Sequence, residues 1–549
     1  MGFVTTLIRI TLKRPLFIHI KQLKMAKKTK LLPGSEEALL TKDLVARIHP
    51  NIIAKFKLPF YRFCQVRMLI VTDGSADYTE TTGFGLGKFL KAFQNPVPFT
   101  YFSIDKAHRQ TEATATPGFD NFTFDKPGLD LTKYDVIWLF GVDRKGGFIS
   151  AGELRKLSEY MNNGGGLFAT GDHEDLGVDL CSRVPRVRNM RRWHYPLAGP
   201  LGEPVAPGAS GNNHDTIADK DPATPGRQGD QSDEVPQNIR PKYYYGWTSP
   251  SILGYKKFPH PVLCGPRGVI KVMPDHMHEG LCEVPTDISR TFNFSGYSIT
   301  EYPTVAGVQA LPEVIAWGVN QNTNNEFGLI SVYDGHREPN VGRVLTDATW
   351  HHFFNINLMG FEAALGASTT VKAQYEDIQA YFRNIGYWLA GKSKQNCFRN
   401  RGFWWIQHHY DVLIAYVPKL EGRNPLLYYR QLGVIARNAL NDLASQCQSS
   451  GIFIELFPPI AFKDFIDPWK IKPGPDPGPD PFPGFDPEFI TDVAIGAGLH
   501  ELRTQTLAQK DLAEKDILKV VEKGVQAGMS LVVKDFKKSI TSLEKALGC

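Results

Sequence analysis

Three short clusters of histidines and carboxylates follow apolar runs in the middle of the chain. They are Gly171–Asp175 (GDHED), Pro274–Glu279 (PDHMHE) and Thr349–His352 (TWHH). Nine of the fifteen histidines lie between His173 and His352. An imidazole beside a carboxylate offers ligands to a metal ion, or a general acid next to a general base. If the fold brings the three clusters together, they form one polar site.

The first cluster holds the predicted catalytic core, which consists of Asp172, His173 and Glu174. These residues follow an apolar run that predicts a buried strand. Burying so many polar groups without partners would cost on the order of several kcal/mol, so we expect them to be solvated or paired with one another. The alternative is a helix N-terminus, where the acids would interact with the helix dipole at a gain of about 0.3–1 kcal/mol.

The second cluster is a candidate metal site. His276 and His278 are two residues apart, so in a strand they share one face, as metal ligands often do. The predicted metal ligands are His276, His278, Glu279 and His352. Zinc would favour the histidines with a carboxylate, whereas manganese or magnesium would favour the acids. An exposed hairpin would show the same spacing, so it stays an alternative interpretation.

The third cluster is ambiguous because adjacent histidines point in different directions. We expect at most one of His351 and His352 to face the site, and the other to be a hydrogen-bonded core residue. His351 is assigned to substrate binding.

The elements that would position these residues alternate between strands and helices. Apolar runs predict strands at Val66–Thr72, Tyr134–Gly141 and Gly166–Thr170. Between the last two, Ser150 and Glu153 have the spacing of a capping box, which predicts the start of a helix. A strand, a helix and a strand with short connections indicate a right-handed crossover in a parallel sheet. Further strands are predicted at 98–103, 268–273, 327–333 and 342–347, and a helix at 375–389.

Ligands of parallel α/β sheets collect outside the carboxyl ends of the strands. Asp73, Asp143 and the first cluster all lie at predicted carboxyl ends. Asp73 and Asp143 are therefore predicted to bind the substrate. The expected fold class is α/β, with a doubly wound and mostly parallel sheet.

The chain of 549 residues is too long for one ordinary core, and its composition changes along its length. The predicted segments are a basic arm and lead-in (1–60), an α/β domain (61–395) with an irregular insertion (185–245), a mainly helical segment (396–470), a Pro/Gly/Asp linker (471–489) and a helical tail (490–549). The linker composition is typical of a stiff, solvated polyproline segment. We expect the Lys-rich tail to dock on the body or on a protein partner.

The net charge of +5 is concentrated at one end of the chain. Residues 1–30 carry eight Lys or Arg and no acid, so the rest of the chain has a charge of 5 − 8 = −3. A mildly acidic body argues against nucleic-acid binding. No run of about 18 apolar residues is present, so no transmembrane helix is predicted. The basic start is interpreted as a membrane-surface or targeting segment, a disordered arm, or an extension upstream of a natural start at Met25.

The seven cysteines are odd in number and widely scattered, and they form no C-x-x-C pair. This spacing predicts neither a disulfide framework nor a thiolate zinc site. A reducing compartment, and hence the cytoplasm, is expected. The turn at Gly171–Asp175 contains no Ser or Cys, so covalent catalysis by a hydroxyl or thiol is not expected there.

Two regions resemble the ThuA-like (trehalose-utilisation) branch of the class I glutamine amidotransferase-like superfamily. Tyr134–Gly141, the capped helix and Gly164–His173 are similar to the family's Gly-rich strand entry and its G-x-H turn, with His173 at the histidine. Gly342–Val344 followed by Thr349–His352 looks like the family's later G-[KR]-V strand and the histidine after it.

The resemblance covers about residues 65–390. It implies a flavodoxin-like sheet and a pocket over His173 for a sugar or another small polar molecule. The insertion at 185–245 and the segment beyond residue 400 depart from the family's compact pattern.

We expect a hydrolase-like enzyme that uses histidine and carboxylate acid/base chemistry, with a divalent metal (Zn, Mn or Mg) as one hypothesis and no Ser or Cys nucleophile. The alternative is a non-catalytic scaffold or interaction protein that joins an assembly through its C-terminal tail.

Overall fold

Every described residue belongs to the compact unit Phe60–Cys549. The computed structural model describes residues 64–94, 100–143, 148–172, 176–191, 193, 236–245, 257–274, 281–305, 307–319, 326–336, 340–363, 369–441, 487–508, 512 and 516–548. The predicted basic arm, nearly all of the predicted linker and most of the predicted insertion lie outside these residues.

Nine of the described strands form one mixed sheet. The strands, numbered along the chain, are β1 (Cys64–Thr72), β2 (Thr100–His108), β3 (Val136–Phe140), β4 (Gly166–Thr170), β5 (Gln237–Pro241), β6 (Tyr243–Tyr245), β7 (Lys257–Pro259), β8 (Cys264–Gly265), β9 (Gly268–Val269), β10 (Val272–Met273), β11 (Thr291–Phe294), β12 (Tyr297–Thr300), β13 (Thr304–Val305), β14 (Val308–Gln309), β15 (Glu313–Val319), β16 (Glu326–Tyr333) and β17 (Val344–Asp347). The sheet has the order β10-β5-β15-β16-β17-β4-β3-β1-β2, and the other strands pair as small hairpins.

The half of the sheet that contains β17, β4, β3, β1 and β2 is parallel. The half from β16 to β10 is antiparallel. Together with the helices described below, this arrangement confirms the predicted α/β class with a sheet that is parallel at its core. The five parallel strands place their carboxyl ends along one edge.

The helices are α1 (Gly87–Lys91), α2 (Ala151–Asn162), α3 (Val178–Cys181), α4 (Val187–Met190), α5 (Asn355–Ala363), α6 (Thr369–Leu389), α7 (Lys392–Ile406), α8 (Tyr410–Ala415), α9 (Pro425–Asn441), α10 (Pro487–Ala508) and α11 (Ile517–Leu547). Helix α2 begins at the predicted capping box. The Ser150 hydroxyl accepts the Glu153 backbone N–H at 3.1 Å, and the Ser150 backbone N–H donates to the Glu153 carboxylate at 2.9 Å. None of the helices within the described residues is both long enough and apolar enough to cross a membrane.

Strands β1, β3 and β4 are apolar on both sides because each face of the sheet is covered. Successive residues of a strand point to opposite faces, and the two faces form separate buried clusters. Met68, Trp138 and Phe168 belong to the cluster that includes α6, whereas Leu69 and Leu167 belong to the cluster that includes α2. The continuous apolar runs seen in the sequence follow from this double burial.

The strand predicted at 268–273 is divided in two. Strand β9 pairs with β8, and β10 pairs with β5 at the edge of the large sheet. The break lies at residues 270 and 271, where the Ile270 N–H bonds to the Leu263 carbonyl at 2.9 Å and the Lys271 carbonyl accepts the Ile239 N–H at 2.9 Å. Gly268, the first residue of β9, has a φ of +131°, which a glycine adopts without a steric penalty as the chain leaves the turn between β8 and β9.

Helices α7 to α11 share a third buried cluster, separate from the two beside the sheet. The close contact between α9 and α10 depends on small residues. A Cβ atom on Gly433 would lie 1.9 Å from the Asp492 carbonyl oxygen, and one on Gly496 would lie 1.8 Å from the Tyr429 carbonyl oxygen. The two helices that follow the predicted linker therefore pack against the helical segment that precedes it.

The expectation that the cysteines form no disulfide is wrong. Cys64, at the start of β1, is bonded to Cys397 in α7, and Cys264 is also disulfide-bonded. Cys64 and Cys397 are 333 residues apart, so their spacing in the sequence gives no sign that they meet. Cys181 and Cys282 are free and buried.

Candidate functional site

Four acidic residues lie at the carboxyl edge of the parallel strands. Asp73 follows β1, Asp143 follows β3, Asp172 follows β4, and Asp347 is the last residue of β17. A short 3₁₀ helix, Trp350–His352, comes directly after β17. The edge predicted to collect ligands therefore carries carboxylates and imidazoles from adjacent strands.

Asp172 and His351 form a pair across the ends of β4 and β17. One carboxylate oxygen of Asp172 (Oδ2) lies 3.3 Å from His351 Nε2. The other oxygen accepts a hydrogen bond from the Thr349 hydroxyl at 2.9 Å. The Thr349 hydroxyl oxygen also accepts the His351 backbone N–H at 3.0 Å. Thr349 thus fixes both members of the pair.

The imidazole of His351 faces an oxygen acceptor on each side. Its Nδ1 lies 3.2 Å from the side-chain oxygen of Asn357, and its Nε2 faces Asp172. The contact with Asp172 is an ion pair only when both ring nitrogens carry hydrogen. Asp172 is buried, whereas the His351 side chain keeps 13% of its surface exposed. A buried carboxylate thus supports a histidine that solvent can reach.

Aromatic rings surround His351 on the outer side. Trp350 stacks on it, with ring centroids 4.1 Å apart and planes 16° apart. Phe84 makes an edge contact with Trp350 at 5.5 Å and is 41% exposed. The Asn355 side chain fixes the glycine-rich loop that carries Phe84, because it accepts the Lys88 N–H and donates to the carbonyls of residues 79 and 82.

His352 belongs to a second, fully buried group. Its Nδ1 lies 2.8 Å from Asp347 Oδ1, which also accepts the Thr349 backbone N–H at 3.2 Å. The other oxygen of Asp347 accepts the Tyr381 hydroxyl at 2.6 Å. Burial, and then the charge of Asp347, raises the pKa of Tyr381 well above 10.

The contact with Asp347 determines which nitrogen of His352 carries hydrogen. Nδ1 donates to the carboxylate, and Nε2 is buried without a hydrogen-bond partner among the described residues. A carboxylate that orients a histidine in this way is common behind metal-bound and proton-accepting histidines. The adjacent histidines point in different directions, as predicted: His351 faces Asp172 and His352 faces Asp347.

Asp73 joins the ends of β1 and β3. Its Oδ1 accepts the backbone N–H groups of Val142 and Asp143 at 2.7 and 3.0 Å. Burial is the main cause that raises the pKa of Asp73 to about 7, and the neighbouring charges of Asp143 and Asp179 add to it. Gly74 has a φ of +64°, and a Cβ atom there would lie 2.6 Å from the Asp143 Cβ.

The predicted site residues thus have different outcomes. The structure brings Asp172 and His351 together, places Asp73 beside Asp143, and joins His352 to Asp347. The other predicted residues, His173, Glu174, His276, His278 and Glu279, lie outside the described residues. Within the part of the chain that the structure describes, no three His, Cys, Asp or Glu side chains are grouped so that they could hold a metal ion.

Four residues of the site are not among the predicted site residues: Asp347, Thr349, Asn357 and Tyr381. Asp347 could have been predicted, because it ends a predicted strand and ligands collect at the carboxyl ends of parallel strands. Thr349, Asn357 and Tyr381 could not have been predicted, because they belong to the site only through contacts that form in the folded chain.

Arg191 connects the backbone at the two strand ends. Its guanidinium donates to the carbonyl oxygens of Asp172 and Ala348, at 2.7 and 3.1 Å, and its cationic carbon lies 4.4 Å from the centre of the Trp193 ring. A buried arginine thus holds the β4 and β17 ends in register around the Asp172–His351 pair.

Comparisons with known proteins give no further assignment: no protein-family model and no curated protein matches this chain.

Proposed function

We propose that the chain is a hydrolase-like enzyme that acts on a small polar substrate through the Asp172–His351 pair. The observation that carries the proposal is the pair itself, at the carboxyl edge of a parallel sheet, with Asp172 buried and His351 partly exposed. A water or substrate molecule that reaches His351 can exchange a proton with the ring, while Asp172 compensates the change in charge.

The thiols of the described part support a mechanism without a cysteine nucleophile. Burial raises the pKa of Cys282 to about 12 and that of Cys181 well above its ordinary value. A thiol that stays protonated at neutral pH is a poor nucleophile. In the sequence, the turn after β4 has His173 at the position where an amidotransferase would carry its cysteine.

A flavodoxin-like fold and membership of the ThuA-like branch belong to this proposal. The parallel strands have the order β2-β1-β3-β4-β17, which corresponds to the 2-1-3-4-5 order of flavodoxin-like sheets. A sugar-related substrate is supported by the exposed ring of Phe84, which contacts Trp350 beside His351, since aromatic side chains commonly line sites for small ligands.

A divalent metal, Zn, Mn or Mg, is a separate part of the proposal. His352 has the orientation expected of a ligand, because Asp347 holds its Nδ1. The proposed ligands His276, His278 and Glu279 would complete the set. Elemental analysis of the purified protein tests this: bound metal that is lost in His352→Ala supports it, and a metal content that this change leaves intact counts against His352.

The cytoplasmic location stays a prediction, and the disulfide between Cys64 and Cys397 counts against it. Disulfides persist in oxidising compartments and are rare in the cytosol.

The enzymatic proposal is tested by hydrolysis of p-nitrophenyl acetate and p-nitrophenyl glucosides. We expect His351→Gln and Asp172→Asn to lower the rate by roughly 10²–10⁴-fold, the usual contribution of general acid–base catalysis. His500→Gln, in helix α10, is the matched histidine control and should leave the rate unchanged. Rates in His351→Gln equal to those of the parent protein would refute the assigned role.

A non-catalytic scaffold is the second candidate function. The observation that favours it is the exposed apolar surface of helix α11, where Ile540, Leu543 and Leu547 are 53–68% exposed. A parent protein that hydrolyses none of these probes and is not stabilised by glucose or trehalose would favour this candidate.

A further inference from the structure

Helix α11 carries two apolar stripes, of which one is buried against the rest of the protein and the other is largely exposed. The buried stripe consists of Ile517, Val521, Gly524, Val525, Gly528 and Val532. It faces α10 and ends at Val532, about halfway along the 31-residue helix. The residues from 537 to 548 are all exposed, a length of about 16–18 Å at 1.5 Å per residue.

The second stripe continues to the end of the helix with heptad spacing. Its members are Met529, Val533, Phe536, Ile540, Leu543 and Leu547, separated by alternating steps of four and three residues. This spacing places Val533, Ile540 and Leu547 at the a positions of a coiled coil and the other three at the d positions. Met529 and Phe536 are partly buried against the third cluster, whereas Val533, Ile540, Leu543 and Leu547 are 49–68% exposed.

The stripe matches a second copy of itself that runs in the opposite direction. When two such helices cross at residue 538, every a position meets a d position of the other copy. Val533 then meets Leu543, Phe536 meets Ile540, and Met529 meets Leu547. Each layer thus joins a branched or smaller residue to a larger one, and no polar residue enters the seam.

The charges beside the seam also favour an antiparallel pair. Lys537 and Glu544 occupy the e positions, which face the e positions of an antiparallel partner. Side chains lean toward the N-terminus of their own helix, so Lys537 of one copy and Glu544 of the other lean toward each other. In a parallel pair these residues would instead face Val532, Ser539 or Ala546, which carry no charge. The remaining lysines, Lys534, Lys538 and Lys545, point away from the seam.

We propose that residues 529–547 form a two-helix antiparallel coiled coil with the same segment of a second copy of this chain. The pairing covers the apolar seam and forms two Lys537–Glu544 ion pairs. It does not depend on the enzymatic proposal, because no residue of the sheet edge takes part.

Sedimentation velocity of the full chain at 1–100 µM tests the pairing. We expect a dimer that becomes monomeric, or dissociates at least 100-fold more readily, in Leu543→Asp. Ser542→Asp places the same charge on the neighbouring residue outside the seam and should stay dimeric. All four of the exposed seam residues lie outside the cores, so these changes should not unfold the protein.

Charge exchange tests the orientation and the partner. Lys537→Glu alone should weaken the dimer, and adding Glu544→Lys should restore it. Mixed Met529→Cys and Leu547→Cys copies should form an intermolecular disulfide, whereas Leu547→Cys copies alone should not. A monomer at every concentration, including one that instead binds phosphatidylserine vesicles, would overturn the proposal, as would a dimer that Leu543→Asp leaves intact.

Discussion

The buried carboxyl of Asp73 should make the stability of this protein fall as the pH rises. Its pKa is about 7 in the folded chain, against an ordinary value of 3.8. Below pH 3.8 the group is protonated in both states and has no effect. Between pH 3.8 and about 7 the unfolded chain releases the proton while the folded chain keeps it, so the folded state is progressively disfavoured.

The size of the effect follows from the difference between the two pKa values. The difference is 7 − 3.8 = 3.2 units, and each unit corresponds to about 1.36 kcal/mol. Asp73 should therefore cost up to about 4 kcal/mol of folding free energy at pH 8 relative to pH 4. Asp73→Asn keeps an oxygen that can accept the N–H groups of Val142 and Asp143, but it carries no charge at any pH.

Urea denaturation at half-unit steps from pH 4 to pH 8 measures this effect. We expect the stability of Asp73→Asn relative to the parent protein to increase by about 4 kcal/mol across that range, with most of the change below pH 7. Asp535→Asn, which removes an exposed acid on α11, is the control and should show almost no pH-dependent difference. A difference between Asp73→Asn and the parent protein that does not change with pH would refute the reasoning.

Three further changes test other parts of the structure, each by chemical denaturation at pH 7. Cys64→Ser removes the link to Cys397 and should lower stability by about 2–4 kcal/mol, and a reducing agent should destabilise the parent protein more than the variant, which retains only the disulfide of Cys264. Tyr381→Phe removes a hydrogen bond to the buried carboxylate of Asp347 and should cost about 1.5–3 kcal/mol; no loss would mean that this contact does not form. Ser150→Ala removes the cap of α2 and should cost about 1 kcal/mol, whereas Ser150→Thr should retain most of the stability.

The parallel half of the fold could be predicted because its signals are local. Runs such as 134–141 and 166–170 are apolar throughout, and Ser150 with Glu153 marks the start of α2 within four residues. Double burial and capping depend on neighbouring residues, so the sequence shows them directly. The antiparallel extension of the sheet is harder to predict, because β10 and β5 are short strands and the run 268–273, which looks continuous, breaks at residues 270 and 271.

The candidate site could be predicted only as far as strand ends determine it. The strand-end rule selected Asp73, Asp143 and Asp172, and all three lie at the expected edge. It could not show that Asp172 pairs with His351 while His352 turns to Asp347, because those choices depend on the backbone of a single 3₁₀ turn. The disulfide was missed for the same reason: contacts between distant residues leave no pattern in the spacing.

The most direct test of the central claim is a double-mutant cycle on the hydrolytic rate. It compares Asp172→Asn, His351→Gln and the double variant with the parent protein, using p-nitrophenyl acetate. If the two residues act as one acid/base unit, the double variant should lose no more activity than the more damaging single change. Losses that multiply in the double variant, or single variants as active as the parent protein, would contradict the account.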